Sequence, residues 1–273
     1  MKFAICNEMY EGWDIARICK DAAACGYQGL EIAPFTLDPD PRKVDEKRAR
    51  EIGQIASDAG IVVTGFHWLL VKPDGLHITT PDAAVRARTA EFLKHLARLC
   101  AAAGGKFMVF GSPKQRNVLE GETYEDAFKR AADVFGLVSR TCEQLGVTLA
   151  LEPLGKVEGN FLNTAEETIK LIEAVNHPNC RLHLDVKAMC CESKPIPQII
   201  AESARHLAYF HANDANRRGP GFGEVDFVPI WKALQQVRYD GWVSVEVFDY
   251  KPDPHTIALK SLEYMKKTME AAK

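Results

Sequence analysis

Several things are scarce or missing in this chain. There is no basic excess: 34 Lys and Arg face 37 Asp and Glu, a formal net charge of −3. Nucleic-acid partners normally need a basic face, and anionic membrane surfaces a polybasic patch, so neither is expected. No apolar run approaches the roughly 18 residues of a membrane span. The opening MKFAICNEMYEGW runs from a strand-like segment straight into polar residues and does not read as a signal peptide. The eight cysteines form no CxxC, and only Cys190 and Cys191 are adjacent. Vicinal cysteines rarely pair with each other, so the thiols read as mostly buried and free, in a reducing cytoplasm. No Gly-rich dinucleotide fingerprint follows the first apolar run, which weakens a Rossmann reading.

What is present is alternation. Strand-like runs fall at 2–6, 28–33, 61–67, 106–110, 147–152, 181–185, 206–213 and 241–247, with helical patterns such as 82–103 and 122–145 between them. Thr123 to Asp126 has the shape of a capping box. Asn163-Thr164 with Glu166 and Glu167 opens another helix, its acids suited to the N-terminus. Gly26, Gly60, Gly104 and Gly146 each close a helical stretch just before a strand. Eight such units predict a single (β/α)8 TIM barrel forming one domain over residues 1–273, without a linker or break.

Four of the apolar runs end on a metal-type ligand. VTLALE closes on Glu152, RLHLD on Asp185, LAYFH on His211 and WVSVE on Glu246. The separations are about 30 residues, one strand plus one helix with loops. Alternation puts Val147, Leu149 and Leu151 on the helix side of their strand, and Thr148, Ala150 and Glu152 toward the axis. The same rule points Arg181, His183 and Asp185 inward, along with Trp242, Ser244 and Glu246. Three carboxylates at one barrel mouth repel unless a cation joins them. Oxygen-rich ligation with one imidazole favours one Mn²⁺, Mg²⁺ or Co²⁺ ion over structural zinc. His183, one layer below Asp185, is expected to orient a ligand from behind.

The chain resembles the xylose isomerase-like barrels and, within them, ketose 3-epimerases of the tagatose and psicose type. The likeness covers nearly all of it and is carried by LEPLGKVEGN, HLDVKAM, FHANDANRRGPGFGEVDF and WVSVEVF. It implies that Glu152, Asp185, His211 and Glu246 bind one divalent metal. It also implies that Glu152 and Glu246 are the acid/base pair, that Glu158 and Arg217 contact a sugar substrate, and that the protein is a homo-oligomer. The chemistry would be proton abstraction next to a ketose carbonyl, through an enediolate that the metal stabilises, with reprotonation from the other face. Glu158 reads equally well as a surface acid; for Arg217 the alternative to substrate contact is a solvated loop cation.

One departure stands out. The family carries a histidine three residues after the metal aspartate, where this chain has Ala188. Lys187 beside it offers a partial replacement of undetermined direction. In the loop GSPKQRN, Lys114 and Arg116 could hold a carboxylate or phosphate, or form a solvated basic loop. Glu31, His67 and Trp68 also point at the mouth. Trp68 would stack on a sugar or plug the core, and His67 would contact substrate or be satisfied by a neighbour.

The competing readings are an inosose-dehydratase-like lyase, a hydroxypyruvate-type isomerase, and a metal-containing sugar-binding barrel without turnover. An endonuclease IV-like repair enzyme is disfavoured by the net negative charge and by only three histidines near strand ends.

Overall fold

The structure is a computed structural model describing residues 1–273. Eight strands pair in parallel and in sequence order until the last meets the first, so the sheet has no edge. They are β1 (Lys2–Cys6), β2 (Gly29–Ile32), β3 (Val62–Phe66), β4 (Phe107–Phe110), β5 (Thr148–Leu151), β6 (Cys180–Asp185), β7 (Leu207–Ala212) and β8 (Trp242–Val245). Outside lie α1 (Ile15–Cys25), α2 (Glu46–Asp58), α3 (Ala83–Ala102), α4 (Tyr124–Leu145), α5 (Ala165–Val175), a single turn α6 (Val186–Met189), α7 (Ile196–Ser203), α8 (Phe227–Gln236) and α9 (Pro254–Ala271). The expected (β/α)8 barrel is what the chain forms, each strand run falling within two residues of its expected bounds.

Local chemistry explains the boundaries. Asp14, Asp45, Asp82, Thr123, Thr164, Asp226 and Asp253 each cap a helix by accepting a main-chain N–H from its first turn. Helices α1 and α4 end on Gly26 and Gly146, both left-handed, with amide groups that bond back into the last turn. β2 begins three residues after Gly26 and β5 two after Gly146.

The barrel carries two separate apolar zones. Outward residues such as Leu149, Leu182, Leu184, Val243 and Val245 join the large core between strands and helices. Inside the barrel, Val109, Ala150 and Tyr209, flanked by Phe107 and Trp242, form a small plug. Above this plug the interior turns polar: the Tyr209 hydroxyl donates to Glu31 and pairs with Thr64. Pairing register shifts at two places, just before Glu31 on β2 and just before His183 on β6. Such irregularities re-aim side chains, and both precede a buried polar residue of the upper interior.

Candidate active site at the barrel mouth

Glu152 and Glu246 are the first residues beyond β5 and β8, Asp185 closes β6, and His211 lies one residue before the end of β7. All four are buried. Candidate ligand atoms of Glu152, His183, Asp185 and His211 lie within 4.8 Å of one another. Glu246 is one contact away, its Oε2 3.2 Å from His211 Nδ1. The structure therefore gathers three of the four expected ligands in one cluster with His183 and joins Glu246 to it through His211.

Three of the four are held from behind. Asp185 accepts from the Ala188 amide and from the Asn213 side chain. His211 Nε2 pairs with Glu31 Oε2 at 3.0 Å. Glu246 Oε1 accepts from Trp68 Nε1 at 2.7 Å and contacts His67 Nδ1 at 3.1 Å, and His67 Nε2 lies 2.9 Å from Glu8. Ring hydrogens are assigned by such networks; here each imidazole bridges two carboxylates. Glu152 has no hydrogen bond to either carboxyl oxygen. Its place is set by its main chain and by Gly111, where a Cβ would stand 1.7 Å from Glu152 Oε2.

The electrostatics follow from these contacts. Burial, reinforced by Glu246 and Asp185, pushes the Glu152 carboxyl well above the usual range. Burial would also raise Glu246, but His211 and His67 outweigh it and hold it well below. His211 and His67 are pushed well up despite burial, by Glu31 and Glu246 in one case and by Cys6 and Glu8 in the other. His183 goes well down through burial and the nearby His211 charge. Burial raises Asp185, with Lys187 pulling the other way.

A divalent metal fits this donor set. Both ring nitrogens of His183 are buried without a hydrogen-bond partner, and a neutral imidazole beside two carboxylates is a ready ligand. The displaced Glu152 carboxyl marks the same need for a positive charge. His183 does not perform the expected orienting role, because no ligand hydrogen-bonds to it; its ring packs edge-on against His211, with centroids 4.1 Å apart. The partner that orients His211 is Glu31.

A cavity of about 490 Å³ opens over the cluster. Its walls include His67, Trp68, Lys114, Glu152, Glu158, Lys187, Arg217, Glu246 and Phe248. Of the expected substrate contacts, Glu158, Arg217, Lys114, His67 and Trp68 thus reach the cavity. Arg116 does not, which corrects the expectation for it. Its guanidinium is fully buried and donates to the carbonyls of Glu152 (2.7 Å) and Leu162 (3.3 Å), with burial pushing it down to about 10. It braces the Glu152 main chain and does not line the cavity. Lys187, whose direction the sequence left open, points inward: its Nζ lies 2.8 Å from both carboxyl oxygens of Glu158.

Glu8, Glu31 and Asn213 complete the site. Glu8 and Asn213 went unremarked in the sequence, although the signal was present. Glu8 lies two residues after the inward Cys6 and Asn213 two after His211, the same alternation that identified the ligands.

A closed parallel barrel with carboxylates and histidines gathered at the C-terminal ends of its strands defines a TIM-barrel enzyme site. The chain belongs to the xylose isomerase-like TIM barrel family, whose model matches residues 19–268, and it is an enzyme of the isomerase/epimerase kind. It is 31% identical over 221 residues to an L-ribulose 3-epimerase of Mesorhizobium japonicum, covering 81% of this chain and 72% of that one. It is 27% identical over 235 residues to a probable ketose 3-epimerase of Synechocystis sp., covering 86% and 78%. A solved L-ribulose 3-epimerase shares the fold with a TM-score of 0.87 at 24% identity, over 99% of this chain and 95% of the other.

No helix is long and apolar enough to cross a membrane. All eight cysteines are free; six are buried, and Cys190 and Cys191 are exposed.

Proposed function

We propose that this chain is a divalent-metal-dependent sugar epimerase or isomerase that moves a proton on the carbon next to a ketose carbonyl. The observation that carries this is a pair of carboxyl groups, Glu152 and Glu246, on the wall of one cavity that opens over the buried cluster of Glu152, His183, Asp185 and His211. Two carboxyl groups facing one substrate can divide the removal and the return of a proton between them.

Glu246 is the group held ionised and fixed in place, so it removes the proton. Glu152, free of side-chain hydrogen bonds, exchanges the proton from the other side of the substrate. Glu152, Asp185, His211 and Glu246 would hold the ion, with His183 a further donor within reach. When bound, the ion supplies positive charge where oxygen charge develops during enolisation. Trp68 fixes Glu246 and walls the cavity. Arg217 and the Lys187–Glu158 pair bind the substrate's oxygen atoms. A homo-oligomer in a reducing cytoplasm belongs to the same reading, supported there by the free cysteines.

The test is proton NMR in D₂O against a panel of ketoses with Mn²⁺, Mg²⁺ or Co²⁺ supplied. The expected result is metal-dependent deuterium incorporation at the carbon next to the carbonyl. Product stereochemistry then separates epimerase from isomerase. Absence of exchange into every ketose and ketose derivative, with metal bound, would overturn the proposal.

A further inference from the structure

We infer that Asp21, Cys25 and His255 form a second metal site, outside the barrel, that takes Zn²⁺ or an ion like it and staples α1 to α9. The site stands apart from the mouth and does not depend on the reaction proposed there.

Asp21 and Cys25 lie four residues apart on α1, so they share one face of that helix. His255 is the second residue of α9, and its ring reaches across to them. Its Nδ1 lies 2.7 Å from Asp21 Oδ1 and 3.8 Å from Cys25 Sγ. Ligand atoms of all three fall within 4.8 Å of one another. In a tetrahedral zinc site, bonds of about 2.0–2.3 Å place the donor atoms about 3.3–3.6 Å apart. The two observed distances straddle that range. The His255 side chain is 52% exposed, so its ring has room to turn and the fourth position stays open to water.

Hydrogen bonds alone serve this trio poorly. A ring nitrogen either donates or accepts. If Nδ1 donates to Asp21, the thiol hydrogen cannot use it. If Nδ1 accepts from the thiol, Asp21 loses its donor. A cation takes a lone pair from all three at once, and the Cys25 proton leaves to solvent as it binds. Asp21 is already turned for this: the buried Tyr10 hydroxyl donates to its Oδ2 at 3.2 Å, which leaves Oδ1 facing the ring. Partners of that kind orient metal ligands from outside. The charge around the thiol agrees. Burial, then Asp21 and Glu263, push Cys25 up to about 11, and a bound cation would reverse that.

The donor set differs from that of the mouth. One sulfur, one nitrogen and one oxygen favour Zn²⁺ over Mg²⁺ or Mn²⁺. The two helices already meet here, since the Tyr27 hydroxyl donates to the Ala258 carbonyl of α9 at 2.9 Å. An ion held by residues 21, 25 and 255 would join the first and last helices of the barrel and stabilise the folded chain by mass action.

The probe is Co²⁺, titrated into the full chain with its thiols reduced and followed by optical absorption. A thiolate-to-cobalt charge-transfer band should appear, saturate at one ion per chain, and vanish when Zn²⁺ displaces the cobalt. Glu152, Asp185, His211 and Glu246 carry no sulfur, so an ion at the mouth adds nothing to that band. Cys25→Ser should abolish it. His255→Ala, a change at a half-exposed side chain, should weaken cobalt binding by more than the about tenfold that loss of an outer partner costs. Zn²⁺ should also raise the melting temperature of the unaltered chain more than that of His255→Ala. The absence of a band in the unaltered chain would overturn the inference. So would a band that survives Cys25→Ser, which would assign the ion to another thiol such as the exposed Cys190 or Cys191, or a His255→Ala titration identical to that of the unaltered chain. An equal rise in melting temperature in both proteins would overturn the staple.

Discussion

The two sides of the barrel mouth are built differently. Around β7, β8 and the end of β3, the polar groups interlock: Glu246, His67, Glu8, His211 and Glu31 alternate acid and imidazole, with the Trp68 indole donating into the chain. Around β5 and β6, groups of the same types stand open, with both His183 nitrogens unpartnered and Glu152 without a donor. The first side is paired largely within the protein, although Glu8, Glu31 Oε1 and His67 Nε2 still lack a hydrogen bond, and on the second neither Glu152 nor His183 is paired at all. Identical residue types therefore behave oppositely, which is why Glu246 is held ionised while Glu152 resists ionisation.

The largest way to sharpen this contrast is to neutralise each acid. Glu152→Gln and Glu246→Gln should each lower kcat by about 10³-fold or more while the fold persists, in line with the loss of a positioned acid or base. Steady-state rates and deuterium exchange will read this; a variant that exchanges at the normal rate removes that residue from the chemistry.

Stability of the metal-free variants should then differ in sign. Glu246→Gln leaves two buried imidazoles short of a counter-charge and should cost about 3 kcal/mol or more. Glu152→Gln removes a carboxyl that burial already opposes and should leave the melting temperature unchanged or higher. Equal losses in chelator-treated melts would erase the distinction between the two sides.

Gly111→Ala probes the open side by geometry alone. The new methyl would overlap Glu152 Oε2, so the carboxylate must move, and metal affinity should fall with kcat. Glu31→Gln probes the closed side through His211. Altering such an outer partner typically costs about 10–100-fold in metal affinity, so a binding titration should register the loss.

The smallest effect is in pH. His67 and His211 have folded values above their ordinary 6.5. Their contribution is complete below that value and is lost as pH rises through the raised ones. Glu152, also raised, acts in the same sense. Glu246 and Glu31 lie below their ordinary 4.5, so their contribution is present above it and is lost as pH falls. The metal-free protein should therefore melt lower on both sides of a mildly acidic optimum. Added metal, which needs Glu152 ionised, should protect most on the alkaline side. A melting temperature that does not move from neutrality upward would contradict this.

Much of this was legible in the sequence because barrel strands obey a period of two. Once VTLALE, RLHLD and WVSVE are read as strands, Glu152, Asp185 and Glu246 face the axis without further information. Helix caps and left-handed glycines fix where each strand begins. What the sequence withheld depends on reach and depth. Arg116 and Lys114 are two residues apart in one loop, yet one is swallowed to brace a carbonyl while the other stays at the rim. His183 shares its strand face with Asp185, but its role turns on hydrogen bonds it does not make. Lys187 follows Asp185 on the α6 turn, where strand alternation no longer applies.

Asn213 gives the site a property that no single ligand has. Its Nδ2 donates to Asp185 and its Oδ1 accepts from the Lys187 main-chain amide, so one side-chain amide joins the buried Asp185 carboxyl to the turn that carries Lys187. If an ion and a substrate both bind here, this link is one route by which each would affect the other. By thermodynamic reciprocity, the factor by which the ion tightens ligand binding must equal the factor by which the ligand tightens the ion. Cutting the link with Asn213→Ala should reduce the factor by which ion and ligand tighten each other, leaving only their direct contact to couple them.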